Sequence, residues 1–430
     1  MEKAELKIEG KLCQLPIVVG SEGKKAVDIS HLYADTGYIS YDPGFSNTGA
    51  FESAITFIDG EKGVLRYRGI SIEQLVQCST FLEVAYLLIR DKLPTGIELH
   101  RFSDLISQNC LMEKDLQRQM GLFPQHSNPM AMLSAMINAL LVYQGDTPAD
   151  RYTKHKESAA ANLMGKISAI TTCIYKRICN ETFIEPDPQK SYISNLLNLM
   201  FSNNGKPFRV SAAVERVMNR LLILHADNAQ NCSTTAVRMA ATSGAGLLTS
   251  IAAGLSVLSG PRHGGANQIV MNMLENILDG KISVQKCLDS AKDKKSRFRL
   301  MGFGNRTYQN CDPRAVILKQ DCDKFLSESG RKDPLLEIAR ELEEKALADS
   351  YFADRNLYPN IDFYSGILLR AIGIPKEMFP LFFVIGRLPG WMAHWLEVIE
   401  SGTDPVVSPG QIYTGAPERS YVPIEQRNPR

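Results

Sequence analysis

Three short segments set histidine or carboxylate side chains among aromatic, apolar or glycine neighbours. They are Leu224-His225-Ala226-Asp227-Asn228-Ala229-Gln230-Asn231, Gly260-Pro261-Arg262-His263-Gly264-Gly265-Ala266-Asn267 and Leu357-Tyr358-Pro359-Asn360-Ile361-Asp362-Phe363-Tyr364-Ser365-Gly366. Such residues in such settings suit proton transfer and hydrogen bonding to a bound ligand. In the second segment Pro261 restricts the residue before it, and two glycines let a ligand approach the backbone beside His263. Each segment alone also fits structural duty: His225 as a satisfied core residue, His263 as a helix cap, Asp362 as an N-cap. A fourth segment, Phe298 to Arg314, carries Gly302 and Gly304. It has neither the dinucleotide-binding spacing nor the Lys-Ser or Lys-Thr ending of a phosphate loop.

Holding these residues in place requires helices with a buried face, and from Ser71 onward the chain reads that way. SIEQLVQCSTFLEVAYLLI, PMAMLSAMINALLVY, AAVERVMNRLLILHA and PLLEIARELEEKALAD repeat apolar residues at helical spacing. Gly- and Pro-containing breaks divide the helices without a long linker. Before Ser71, short alternating runs such as LKIEGKL and AITFIDG lie between turn-forming residues and read as strands. The fold class is therefore mainly α, with a small N-terminal β-rich segment. The apolar run from Ser243 to Gly260 is shorter than the ~20 residues that span a bilayer and predicts a buried helix.

At 430 residues the chain exceeds what one core usually organises, so a large domain with smaller lobes is expected. Its 48 basic and 47 acidic residues leave a formal charge of +1, which gives no global attraction for nucleic acid or an anionic membrane. Any anion site must be local. The nine cysteines show no CxxC spacing, so neither a disulfide frame nor a metal site is expected. The N-terminus lacks the basic head and apolar run of a signal peptide, which makes cytoplasm the expected location.

Taken in order along almost the whole chain, the segments resemble citrate synthase, particularly the bacterial hexameric type with its extra N-terminal β-domain. Further matches are Gly63 to Gly69, Asn128 to Met132, Ala291 to Lys294, Phe383 to Trp395 with Arg387, and Gln411 to Gly415. The resemblance implies a β-rich segment at 1–65, a large helical domain at 66–265 and 381–430, and a small helical domain at 266–380. It also implies lobes that close around the substrates, and a homohexamer or homodimer.

Carried over residue by residue, Asp362 falls on the base that removes the methyl proton of acetyl-CoA. His263 falls on the group that hydrogen-bonds the thioester oxygen as the enol or enolate develops. A thioester α-proton is weakly acidic, so the carboxylate needs a partner that stabilises charge on oxygen. Arg314 and Arg387 fall on arginines that hold the 2-oxo acid, and His225 on a further active-site histidine. Coenzyme A would lie against the backbone of Leu300, Gly302 and Gly304 and against Asn360. Acetyl-CoA is thus a co-substrate, with no cofactor bound permanently.

The chain departs from the family at three places, all on the oxo-acid side. Asn305 replaces the histidine that polarises the ketone, Asn228 replaces a second histidine that contacts the oxo acid, and Ser408 replaces an arginine that reaches a substrate carboxylate across a subunit interface. A carboxamide donates a hydrogen bond but does not titrate near neutral pH. The expected function is condensation of acetyl-CoA, or another short acyl-CoA, with a small anionic 2-oxo acid other than oxaloacetate, such as phosphonopyruvate, followed by thioester hydrolysis. The alternatives are a slow citrate synthase and a non-catalytic paralogue that pairs with an active enzyme. Tyr143 and Lys166 fit an NADH-binding pattern found in hexameric members, but Asn162 stands where those have arginine and Gly205 where some have a reactive cysteine. Weak or absent NADH control is expected.

Overall fold

The helices form where apolar spacing and capping chemistry coincide. In the computed structural model, which describes residues 2–427 apart from 147–148, 204–205, 306, 329, 331 and 403–404, Asn128 caps Pro129–Gln144, Ser211 caps Ala212–His225 and Asp333 caps Pro334–Ala348. Each cap accepts a hydrogen bond from a backbone N–H that the first turn would otherwise leave unpaired. SIEQLVQCSTFLEVAYLLI forms two helices, Ile72–Cys78 and Phe81–Arg90. Thr80 and Glu83 form a reciprocal capping box that starts the second helix anew.

Two three-stranded antiparallel sheets precede most of the helices. The first comprises β1 (Lys3–Ile8), β2 (Lys11–Val19) and β3 (Lys25–Val27); the second comprises β4 (Thr56–Asp59), β5 (Val64–Tyr67) and β6 (Ile70–Ser71). LKIEGKL is the tip of the first hairpin rather than a single strand, because Glu9 and Gly10 turn at φ 47° and 83°. Residues 1–52 with 407–430 form one compact unit, and residues 53–406 form the other.

Within the larger unit the helix Phe379–Ser401 is the spine. Its residues are buried around almost the whole circumference from Phe379 to Leu396, as expected of a helix enclosed by others. It packs on Phe81–Arg90, Ala212–His225, Cys232–Thr242 and Leu247–Leu258. The last of these is the apolar run 243–260. No helix among the described residues is long and apolar enough to cross a membrane.

The spine approaches its neighbours at glycines. A Cβ at Gly386 would sit 2.8 Å from the Cβ of His225. At Gly390 a Cβ would collide with the Ala226 carbonyl oxygen and lie 2.6 Å from Asp227 Oδ1. Only glycine lets the spine lie directly against the loop that follows His225.

Candidate active site

Asp362 lies in the first turn of the helix Ile361–Ile372. Asn360 caps that helix, its Oδ1 accepting from the Asp362 N–H at 3.0 Å. The same residue ties the helix to the glycine loop: its N–H donates to the Gly302 carbonyl at 2.8 Å and its Nδ2 to the Gly304 carbonyl at 2.9 Å. The Gly304 N–H answers with a bond to the Tyr358 carbonyl at 2.8 Å. Both polar atoms of the Asn360 side chain are thereby engaged within the protein. Gly302 and Gly304 adopt φ 83° and 80°, and a Cβ at either would sit 2.9 Å from Phe363, Val270 or Leu357. Leu300, at the start of the loop, is buried.

The Asp362 carboxyl group keeps some contact with solvent but is crowded by protein. Burial pushes its pKa up to about 6, Asp312 adds to the rise, and Arg314 and Arg387 oppose it. A base tuned to that value is ionised at neutral pH yet more basic than an ordinary aspartate.

His263 is set by Ser233. The Ser233 N–H, which can only donate, reaches Nε2 at 3.3 Å, and the Ser233 hydroxyl lies 2.8 Å from the same nitrogen. Nε2 is therefore the acceptor and Nδ1 carries the proton. Burial, aided by the charge of Arg387, presses the His263 pKa down to about 4. The ring is a neutral hydrogen-bond donor at physiological pH.

His225 is buried at the end of its helix, with Nδ1 donating to the Leu221 carbonyl at 2.8 Å. Burial, and then the charges of Arg387 and Arg314, lower its pKa to about 3. Arg387 donates from Nε to the His225 carbonyl at 2.8 Å, while its buried Nη1 has no partner among the described residues. Burial lowers the Arg387 pKa to about 10, with Asp227 opposing the fall. The charge of this one guanidinium bears on His225, His263 and Asp362. Phe383 joins the two histidines to Arg387, its ring 4.9 Å from His225, 6.2 Å from His263 and 4.9 Å from the Arg387 guanidinium carbon.

Arg314 is held differently. Asp312 takes its Nε at 3.0 Å and Nη2 at 2.9 Å, a bidentate pair buried at the start of Pro313–Glu328. Burial opposes the charge, but Asp312 and Tyr308 carry the net pKa of Arg314 upward. Asn305 is turned to its own loop: Oδ1 accepts from the Thr307 N–H at 2.8 Å, with Tyr308 N–H at 3.5 Å, an Asx turn. Asn228 Oδ1 is buried without a partner among the described residues. Ser408 lies in the irregular segment after the spine, in the unit formed by 1–52 and 407–430.

The structure thus gathers His225, His263 and Arg387 around Phe383, and joins Asn360, which caps the helix of Asp362, to the glycine loop. Sequence reasoning passed over Ser233, Asp312 and the role of Phe383. For Ser233 the available signal is Asn231-Cys232-Ser233, in which the asparagine caps Cys232–Thr242 and leaves the serine near the helix start. Asp312-Pro313-Arg314 similarly offers an acid two residues before a buried base.

The family model described as citrate synthase, C-terminal domain, matches residues 44–407. Citrate synthase 1 of Mycobacterium tuberculosis is 43% identical over 426 residues, covering 99% of both chains. The citrate synthase of Corynebacterium glutamicum is 41% identical over 426 residues, covering 99% of this chain and 97% of its own. Among solved structures, the ternary complex of the Thermoplasma acidophilum citrate synthase with carboxymethyl coenzyme A and oxaloacetate matches with a TM-score of 0.82 and 30% identity, over 90% of this chain and 100% of that one. The Pyrobaculum aerophilum citrate synthase matches with a TM-score of 0.77 and 30% identity, over 99% and 100% of the two chains.

Proposed function

The chain belongs to the citrate synthase family, and from that premise we propose that it condenses acetyl-CoA with a 2-oxo acid other than oxaloacetate. Asp362 removes a methyl proton while the Nδ1–H of His263 bonds the thioester oxygen, so that negative charge forms on an atom already facing a donor. The resulting enolate attacks the ketone carbon of the 2-oxo acid, the ketone oxygen takes a proton from water to become a hydroxyl, Asp362 returns its proton to solvent, and water then hydrolyses the thioester to release CoA. Arg387 holds the substrate carboxylate through its free Nη1, because a buried guanidinium arm without a partner offers a carboxylate a strong hydrogen bond.

The observation that supports a changed second substrate is the charge around that arm. His225 and His263 are neutral, positions 228 and 305 are amides, and the Arg314 charge is paired with Asp312. Among the described residues Arg387 offers a buried guanidinium arm without a partner, and the lack of a histidine at 228 or 305 suits a 2-oxo monocarboxylate with an alkyl end better than phosphonopyruvate or a dicarboxylate. Oxaloacetate is the second reading, favoured by the 43% identity with a citrate synthase and by the oxaloacetate complex of the archaeal relative.

A mass-spectrometric product screen separates the readings. Acetyl-CoA is offered with oxaloacetate, pyruvate, 2-oxobutyrate, 2-oxoglutarate and phosphonopyruvate, and CoA release is measured in parallel. A monocarboxylate is expected to give the highest kcat/KM. Fastest turnover with oxaloacetate would establish the second reading, and no CoA release with any acid would point to the non-catalytic paralogue.

The assembly is a homohexamer or homodimer, as the family resemblance implies, and the small lobe at 266–380 closes on the larger one. NADH control is weak or absent. Lys166 is committed to the Leu111 carbonyl and to Glu113, each at 2.7 Å, and Asn162 to Asn109 at 2.8 Å, while Tyr143 is half exposed; Gly205 lies outside the described residues. Titration with NADH is expected to show no saturable binding, and a tight isotherm would overturn this.

A further inference from the structure

Behind the loop that follows His225 lies a row of four ionisable side chains, three of them buried, that the chemistry above does not use. Arg238 donates from Nη1 to Glu397 Oε2 at 2.5 Å and lies 3.2 Å from His394 Nδ1. A guanidinium only donates, so His394 Nδ1 is the acceptor and its proton sits on Nε2. That Nε2–H faces both carboxylate oxygens of Asp227 at 3.3 Å. His394 and Asp227 have no accessible surface, and Arg238 has almost none.

The far end of the row grips the loop. Asp227 Oδ2 accepts from the Ala229 N–H at 2.9 Å, and the Tyr67 hydroxyl donates to the Asp227 carbonyl at 2.9 Å. Ala229 sits at φ 46°, a left-handed conformation that a residue with a Cβ adopts only when its surroundings impose it. Asn228, whose buried Oδ1 has no partner among the described residues, lies between these two fixed points. Burial favours the neutral acid at Asp227, but His394 and Arg387 outweigh it and hold the pKa below the ordinary carboxylate value. The grip is a charge-assisted hydrogen bond from Nε2–H to the carboxylate.

We propose that His394 is a positioning residue for the second substrate: it acts through Asp227 to hold the turn that presents Asn228, and the Glu397–Arg238 pair fixes which ring nitrogen carries the proton. This rests on the reading that Asn228 meets the 2-oxo acid. It goes further by tying that contact to a side chain 166 positions along the chain, at the centre of the spine.

The test uses the full chain and three variants. His394→Gln retains an acceptor for Arg238 and a donor for Asp227, whereas His394→Asn is one methylene too short to serve both. Asp227→Asn keeps the shape of the carboxylate and removes its charge, so it gives an independent result should His394→Asn fail to fold. Affinities for pyruvate, 2-oxobutyrate and oxaloacetate as probes, and separately for acetyl-CoA, are measured by calorimetry. His394→Asn and Asp227→Asn are expected to weaken 2-oxo acid binding at least tenfold with acetyl-CoA affinity within twofold of the unaltered protein, and His394→Gln to restore most of the loss. Equal loss for both ligands, unchanged 2-oxo acid affinity in a folded variant, or no advantage of glutamine over asparagine would each overturn the proposal. Asn228→Ala tells the two readings apart: if it leaves 2-oxo acid affinity intact, the substrate contact itself is wrong. If it weakens that affinity while His394→Asn does not, only the role of His394 falls.

Discussion

Replacing Asp362 with asparagine is expected to remove condensation and, at the same time, to make the protein harder to unfold. An amide has the shape of the carboxylate but cannot accept the methyl proton, and loss of a positioned base costs about 10²–10⁴ in rate. The stability gain follows from the pKa of about 6. The folded protein prefers the protonated acid, so the favourable contribution is complete below the unfolded value and is lost as pH climbs through about 6. At pH 7 the ionised group costs on the order of 3 kcal/mol, which asparagine does not incur. Differential scanning calorimetry should therefore show a higher Tm for Asp362→Asn at pH 7, with the two proteins converging near pH 4. In the unaltered protein, CoA release should rise with pH through about 6 and then level off. A variant both inactive and less stable would show that Asp362 is a structural residue.

Gly390→Ala is the second change with a large expected effect, and it acts from the opposite side of the site. The added methyl group would collide with the Ala226 carbonyl and crowd Asp227 Oδ1 at 2.6 Å. Neither neighbour can simply swing aside, since one is backbone and the other is the carboxylate gripped by His394. Overpacking of this kind typically costs about 1–3 kcal/mol. Here the relief must come from moving the loop that carries Asn228. A lowered Tm with at least about a hundredfold loss of 2-oxo acid turnover is expected, by analogy with removing one preorganised polar contact. Unchanged thermal and kinetic behaviour would mean that the spine and loop are not in tight contact.

Much of the fold was legible because its signals are local. The apolar spacing of PMAMLSAMINALLVY and the Asn128-Pro129 start coincide with the helix Pro129–Gln144, and AAVERVMNRLLILHA with Ala212–His225. The Thr80–Glu83 capping box was equally local, yet periodicity carried one reading straight across it. At the site, the types and order of His225, His263, Asp362 and Arg387 were legible, but their hydrogen-bond states were not. Which nitrogen of His263 bears its proton depends on Ser233, 30 residues away, and the state of His394 on Arg238, 156 away. The engagement of Asn360 with the glycine loop and of Arg314 with Asp312 required coordinates, because residue type alone does not say whether a side chain faces its own backbone or a cavity.

The Asx turn at Asn305 also bears on what else position 305 can hold. Its carbonyl oxygen serves the Thr307 amide at 2.8 Å. An imidazole placed there and aimed at a ligand would leave that amide without its acceptor. A histidine at 305 thus loosens the loop unless a neighbouring residue changes with it. The amide at 305 is tied to its own backbone, so any replacement there alters the course of the loop as well as the group it presents.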